Sequence, residues 1–177
     1  MKKVWLKILI IIILFSIAFS VSEVGAYIWH RFIAHNSLFF PIRETHRIHH
    51  VDDLDDKAHE DFYWIVLGLA ALGIIVLGLL LMRFPSYIII PVYLGIVVFF
   101  CINWYIHSMY HTDNCWLEQF EVFRKLREIH FQHHKNPRSN YSIVTSIPDR
   151  ILGSYEKPNH KLSLKNPINQ NYDIDLE

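Results

Sequence analysis

Twelve of the 177 residues are histidines, and ten of them fall into four short motifs. His30 and His35 bracket HRFIAH. His46, His49 and His50 lie in HRIHH, His107 and His111 in HSMYH, and His130, His133 and His134 in HFQHH. Spacings of three and four put side chains on one face of an α-helix. Each HxxHH motif therefore aligns two imidazoles with a third beside them, and HxxxH aligns two. His30 and His35 are five apart, about 140° around an α-helix. They can share a metal ion only if the helix unwinds near its end; otherwise they serve different ions. Neutral imidazole suits iron, zinc, copper and nickel. One such ion takes about four to six ligands, so ten histidines are too many for one and about right for two. The competing reading, amphipathic histidines scattered along a membrane interface, does not account for four motifs at helical spacing on one predicted face.

Two histidines stand outside these motifs. His59, in AHED, directly precedes an apolar run and is read as a further ligand; His160, in KPNHK, is read as a solvated surface residue. HExxH is absent, and no Ser or Cys nucleophile sits beside a base in a motif. Cys101 and Cys115 have no CxxC spacing and the first lies in an apolar run, so neither an iron–sulfur centre nor a structural disulfide is expected. A dinuclear, nitrogen-rich site suits iron and O2 activation, while spacing alone leaves zinc open.

The elements that must position these residues are apolar. Hydrophobic residues make up 52% of the chain and charged residues 19%, with Lys+Arg and Asp+Glu both 17. No net field attracts nucleic acid, and the length is that of one domain. Phe62 to Met82 is 21 residues without a formal charge and Phe84 to Ile106 is 23. Each is long enough to cross a bilayer core as a helix. Arg83, Pro85 and Ser86 break the pair into a tight hairpin, and Pro91 is expected to kink its second arm. The first run, Ile8 to Ser22, follows Lys2, Lys3 and Lys7 and shares the look of a secretory leader. Its apolar character resumes after Glu23, which favours a retained helix from Val4 to Trp29, about 39 Å long.

Three crossings place residues 29–61 and everything after Ile106 on one side of the membrane, with all twelve histidines. That side holds 13 of the basic residues and the other holds 4, Lys2, Lys3, Lys7 and Arg83. The positive-inside rule makes the histidine side cytoplasmic. The expected fold is all-α: an integral-membrane helical bundle with about three transmembrane helices and a cytoplasmic, histidine-rich helical cap. Residues 1–29 form the first transmembrane helix. Residues 30–157 form the histidine-cluster unit, including the 62–106 hairpin, and residues 158–177 a polar tail. The location is multi-pass in the endoplasmic reticulum of a eukaryote or the inner membrane of a bacterium.

The order of motifs resembles the fatty acid hydroxylase / sterol desaturase superfamily of integral-membrane di-iron oxygenases. That order is a spaced histidine pair, HxxHH, a membrane hairpin, a second pair and a second HxxHH. The resemblance runs from about Glu23 to Tyr155. Tyr27, His30 and Arg31 match the family's Y-x-x-H-R, Glu23 lies where an acid is frequent, and His59-Glu60 resembles H-P-x-E. Asn140-Tyr141 and Pro148-Asp149-Arg150-Ile151-Leu152-Gly153-Ser154-Tyr155 resemble the closing N-Y-G…W-D-R-L-F-G-T-Y. HRFIAH has one spacer more than sterol-type members and in this is closer to the β-carotene hydroxylase branch. HSMYH replaces that branch's third motif, and PDRILGSY points back to the sterol and fatty acid branch.

The resemblance implies an oxidoreductase of the monooxygenase type, a di-iron lipid hydroxylase acting on a C–H bond of a fatty acid, sterol or carotenoid-like substrate. The alternative on the same site is a lipid desaturase. From another class, a membrane metal-binding or metal-transport protein needs polar ligands inside the crossings, where the last run offers only Ser86 and Asn103. The implied ligands are His30, His35, His46, His49, His50, His59, His107, His111, His130, His133 and His134. They would hold two iron ions, for which zinc may substitute in purified protein, with O2 as co-substrate. Glu23 and Asp149 are candidates to orient the rings from behind; for most of Asp52, Asp53, Asp55 and Asp56 a solvated acidic loop is the reading. No haem or flavin motif is present, so electrons would come from a separate donor, such as a cytochrome b5 or a ferredoxin with its reductase. Phe32, Phe39, Phe40, Tyr105, Tyr110 and Phe131 are read mainly as interface-belt aromatics.

Overall fold

The computed structural model describes residues 2–51 and 72–158, and among these every regular element is helical. Helix α1 spans Lys2–Trp29 and continues into a π-helical turn, His30–Ala34. A 3-10 turn, Ser37–Phe39, leads into α2, Phe40–Val51. Helix α3 is Leu72–Leu81, and α4 is Ser86–Tyr110. A 3-10 turn, Trp116–Gln119, precedes α5, Glu121–Lys135; a loop then leads to the short α6, Ile147–Ile151.

Two stretches, Lys3–Ala34 and Ser86–Tyr110, are long and apolar enough to cross a membrane. They carry no amphipathic stripe. Ile12, Ile13, Ile17 and Val21 on α1 and Ile90, Leu94, Ile96 and Phe100 on α4 are exposed. An apolar surface of that extent marks contact with lipid or a partner rather than water. The middle run expected at Phe62–Met82 lies partly outside the described residues; its remainder, Leu72–Leu81, is helical and apolar. The tight turn expected between the two arms is present. The amides of Arg83 and Phe84 both donate to the Leu80 carbonyl, and α4 restarts at Ser86 after Pro85. Helix α4 runs on through Pro91, which is buried within it.

α1 and α4 lie side by side and point the same way. Lys7 Nζ sits 5.5 Å from the Tyr87 ring centre. Further along, Phe19 meets Phe99 edge-on at 5.3 Å. Pro91, Gly95 and Phe99 are buried at four-residue intervals, the stripe of α4 that faces its neighbour. Gly95 sets the separation: a Cβ there would lie 2.6 Å from the Phe15 carbonyl oxygen and 3.0 Å from Ala18 Cβ. Small residues let membrane helices approach this closely. Because the pair is parallel, α1 brings His30 and α4 brings His107 to the same end of the molecule. There α2, α5 and the loop to α6 cover them, around a small core of Tyr110, Leu117 and Phe123.

Helix α5 is the opposite kind of helix from α1. Phe123, Arg127, Ile129, His130, Phe131, His133 and His134 are buried, while Glu121 and Lys125 pair on the outer face. Arg127, 2% exposed, is the cation inside this cap. Its guanidinium donates to the Tyr110 carbonyl at 2.7 Å and to the Glu118 carboxylate at 2.5 Å. It thus satisfies the carbonyl end of α4 next to His111 and joins α4 to α5.

Gly95→Val is expected to force α1 and α4 apart, because the first obstacle is a backbone oxygen that has no rotamer to escape into. A loss of roughly 1–3 kcal/mol, the range for an overpacked site, is expected in unfolding of the detergent-solubilised protein. Wild-type stability in Gly95→Val would refute this close contact.

Candidate metal centre

The ten motif histidines meet at the shared end of α1 and α4, and they divide into two groups of five. His30, His35, His46, His50 and His133 form one; His49, His107, His111, His130 and His134 form the other. Within each group the ligand atoms all lie within 4.8 Å of one another. The groups abut, with the rings of His50 and His134 stacked at 4.3 Å. His59 lies outside the described residues, as do Asp52, Asp53, Asp55, Asp56 and His160.

The division follows from helix geometry. On α2, His46 and His50 are four apart and serve the first group, while His49, turned away from them, serves the second. On α5, His130 and His134 serve the second group and His133 the first. Each HxxHH helix therefore gives an aligned pair to one group and lends its odd histidine to the other. The pair on α4, His107 and His111, completes the second group, and the pair after α1 completes the first. The two halves of the centre are related by an approximate exchange.

The five-residue gap between His30 and His35 is resolved by the π-helical turn at His30–Ala34. In a π-helix the hydrogen bond runs from i to i+5 rather than i+4, so the wider turn carries residues five apart to one face. The two rings stack at 5.2 Å with 23° between their planes. The extra residue of HRFIAH is absorbed by local unwinding.

The donor set fits a divalent transition metal. The Nδ1 of His30 lies 2.5 Å from the Tyr141 carbonyl oxygen, and that of His133 lies 2.6 Å from the Ser139 carbonyl oxygen. A carbonyl only accepts, so each Nδ1 carries the proton and each Nε2 presents a bare lone pair. Those lone pairs face other ring nitrogens. His46 Nε2 has the Nε2 atoms of His30, His35 and His50 at 2.9, 3.1 and 3.0 Å. In the second group His130 Nε2 has those of His111 and His134 at 2.8 and 3.0 Å, and His49 Nε2 has that of His107 at 3.1 Å. A neutral imidazole has one proton, so such a crowd of nitrogens cannot be satisfied by hydrogen bonds among themselves. A shared cation satisfies them.

Burial keeps these rings in the form that binds. It pushes His46, His50, His130, His133 and His134 well below the usual histidine value, with neighbouring histidines adding to the effect. His35 is lowered to about 4, first by burial and then by Arg43. All six are neutral near pH 7.

Behind the first group stands a hydrogen-bonded frame. Asp149 is fully buried; its carboxylate accepts the amides of Tyr141 and Ser142 at 2.8 and 2.9 Å and the Ser154 hydroxyl at 2.8 Å. The Ser154 hydroxyl hydrogen points to Asp149, so the Tyr27 hydroxyl donates to Ser154 Oγ at 2.8 Å and itself accepts from Arg31 at 2.5 Å. Asn140 closes the loop. It tolerates φ 54, and its side-chain amide exchanges two hydrogen bonds with the Glu156 backbone, each at 2.9 Å. Asp149 thus acts on His30 through the Tyr141 peptide rather than by touching a ring. The other acidic candidate, Glu23, accepts the Thr145 hydroxyl at 2.6 Å; it ties α1 to the loop and, among the described residues, is hydrogen-bonded to no histidine.

Two aromatics expected in an interface belt belong to the interior instead. Tyr110 is buried and stacks on His130 at 5.2 Å, and buried Phe131 lies edge-on to His111 at 5.6 Å. Their spacing on α4 and α5 puts them on the histidine face, so burial follows from the ligands beside them. Phe32, Phe39 and Tyr105 are exposed. Arg127 escaped notice in the sequence, where its only signal is its place on the stripe of Phe123, His130 and His134.

Deleting the exposed Phe32 shortens the pair to HxxxH. The π turn should relax to α-helix and keep both histidines on one face, with metal content unchanged. Inserting an alanine between Tyr27 and His30 instead turns the pair about 100° and should empty the first group. Equal metal content in the two variants, by elemental analysis, would contradict the role given to the π turn.

A family model described as fatty acid hydroxylase matches residues 15–154. Searches of curated proteins and of solved structures returned no match. The family match takes in all four histidine motifs, the π turn and the Asp149 frame, and the chain belongs to the fatty acid hydroxylase family.

Proposed function

We propose that the protein is a membrane-bound, O2-dependent di-iron lipid hydroxylase. The observation that carries this reading is the pair of abutting five-imidazole groups at one end of apolar helices. His30, His35, His46, His50 and His133 would hold one ion, and His49, His107, His111, His130 and His134 the other, with His59 as a further ligand. When bound, iron would activate O2, which supplies the oxidising equivalents needed to break an unactivated C–H bond. Overall, a lipid C–H, O2, two electrons and two protons give an alcohol and water. The electrons come from an external donor of the cytochrome b5 or ferredoxin type.

The protein's own residues bind, orient and exclude water. The Tyr141 and Ser139 carbonyls hold two ligand rings in one tautomer. Tyr110 and Phe131 wall the second group with aromatic surface. The substrate is a lipid because the groups sit at the ends of helices whose exposed faces are apolar. Sidedness rests on the basic residues: 13 on the histidine side against 4 make it cytoplasmic. A third crossing is supported by connectivity, since Val51 lies at the histidine end and Ser86 begins α4 at the other, beside Lys7.

Purified protein should carry about two metal ions per chain after iron reconstitution, and reductant should support O2 consumption. Comparing the lipids of a host with and without the gene should reveal a hydroxylated product; an alkene would identify a desaturase. His49→Ala or His134→Ala should abolish product while membrane insertion persists, and His160→Ala should leave product unchanged. Full product formation in His134→Ala would overturn the proposal.

A further inference from the structure

We propose that α6 and the loop before it are seated in the lipid leaflet on the histidine side, with Ile147, Ile151 and Leu152 inserted among the acyl chains beside α1. The inference rests on the membrane part of the reading above, and not on the metal ions or the reaction.

The cap is tied to α1 at three heights. The Tyr141 carbonyl accepts from His30 Nδ1 at 2.5 Å, the Thr145 hydroxyl donates to Glu23 Oε1 at 2.6 Å, and Ser154 Oγ accepts from the Tyr27 hydroxyl at 2.8 Å. Glu23 lies seven residues before His30, about 10 Å back along the helix toward its apolar run. The chain therefore descends alongside α1 from Tyr141 to Thr145, turns through α6 and climbs again to Ser154. Exposed Trp29, with Arg31 after it, marks the level at which aromatic and basic side chains collect at a membrane surface. Thr145 and the start of α6 lie below that level, at the height of exposed Val21 and Val24 of α1.

What the chain carries there is apolar. Ile147 and Ile151 are four apart and share a face, Leu152 follows them, and all three are exposed, Ile151 at 76%. Between Arg138 and Arg150 the one formal charge is Asp149, and it is buried, as is Pro148. Helix α6 thus turns Pro148 and Asp149 inward and its large aliphatic side chains outward. The patch continues the exposed aliphatic surface of α1 at the same height, which makes lipid its occupant.

The polar groups agree with that seat. Below the headgroups a backbone must find partners within the protein. The Ile147 amide donates to Thr145 Oγ1 at 3.1 Å, that of Arg150 to the Ser146 carbonyl at 3.1 Å, and that of Leu152 to the Pro148 carbonyl at 2.8 Å. Arg150, the exposed cation of α6, folds over the ring of Tyr155, 3.8 Å from its centre, while its Nε donates to Ser146 Oγ at 3.0 Å. A cation on an aromatic ring, at the end of the segment that climbs back, suits the headgroup level.

The test uses full-length protein in phosphatidylcholine vesicles, with Cys101 and Cys115 replaced by Ser and a nitroxide placed on Ile147→Cys, Ile151→Cys or Leu152→Cys in turn. Spin relaxation by O2, which concentrates among acyl chains, is compared with relaxation by a water-soluble chromium oxalate complex. Val21→Cys is the reference for lipid, and Lys125→Cys, on the outer face of α5, the reference for water. The three α6 labels should follow Val21, at about 5–10 Å below the phosphates, with Ile147 deeper than Leu152. Labels that follow Lys125 would overturn the proposal and leave the membrane reading intact; if the Val21 label did so too, both would fall. Labels shielded from both agents, or broadened by spins on a second copy, would overturn it by putting protein on this face. Should Ile147→Cys fail to fold, Ile151→Cys, at the more exposed position, decides between the same outcomes.

Discussion

Lone pairs that face one another must be reconciled, and the cap of this protein is organised around that constraint. Ring nitrogens of neutral histidines stand about 3 Å apart in each of two groups. Such an arrangement repels itself unless a cation lies within it, and the scaffold must hold it in place before one does. The means are visible around it. Helical spacing aims the rings, burial keeps them neutral, Arg127 ties the end of α4 to α5, and Asp149 fixes the loop whose carbonyls grip two of the rings from behind.

The exchange of histidines between α2 and α5 has an energetic meaning. A helix that serves one group with an i, i+4 pair and the other with its odd histidine cannot rotate to improve either without spoiling both. The groups are therefore coupled through rigid elements rather than through a flexible linker. Backbone carbonyls hold His30 and His133 from behind, and an aromatic ring lies against His130.

Much of the centre could be read in the sequence because its logic is periodic. Spacings of three and four identify helix faces without any coordinates, and charge-free runs identify the long helices. The pairing of His30 with His35 was legible only as a condition, unwinding, which the π turn meets. Other features had no periodic signal. The assignment of His49 and His133 to opposite groups depends on how α2 and α5 face each other. Glu23, an acid at membrane depth, had the right phase relative to His30, yet Thr145 takes its hydrogen bond from a loop 122 residues away. Tyr110 and Phe131 looked like belt residues because aromatic composition does not tell a buried ring from one at the headgroups. Arg127 was hidden because a buried cation is defined by its acceptors, and these are mostly backbone carbonyls and side chains brought near by folding.

The contact at Gly95 has a mechanical side. A helix pair locked at a glycine, with both members pointing the same way, behaves as a single strut. Bilayers differ in thickness, and helices answer by tilting. If α1 and α4 cross the bilayer as proposed, they would tilt together, and the distance between the histidines they carry would stay constant. What would change is the depth of the whole centre relative to the lipid headgroups. In the proposed membrane-bound protein, membrane thickness would therefore act on the height of the site above the acyl chains and leave its internal geometry untouched.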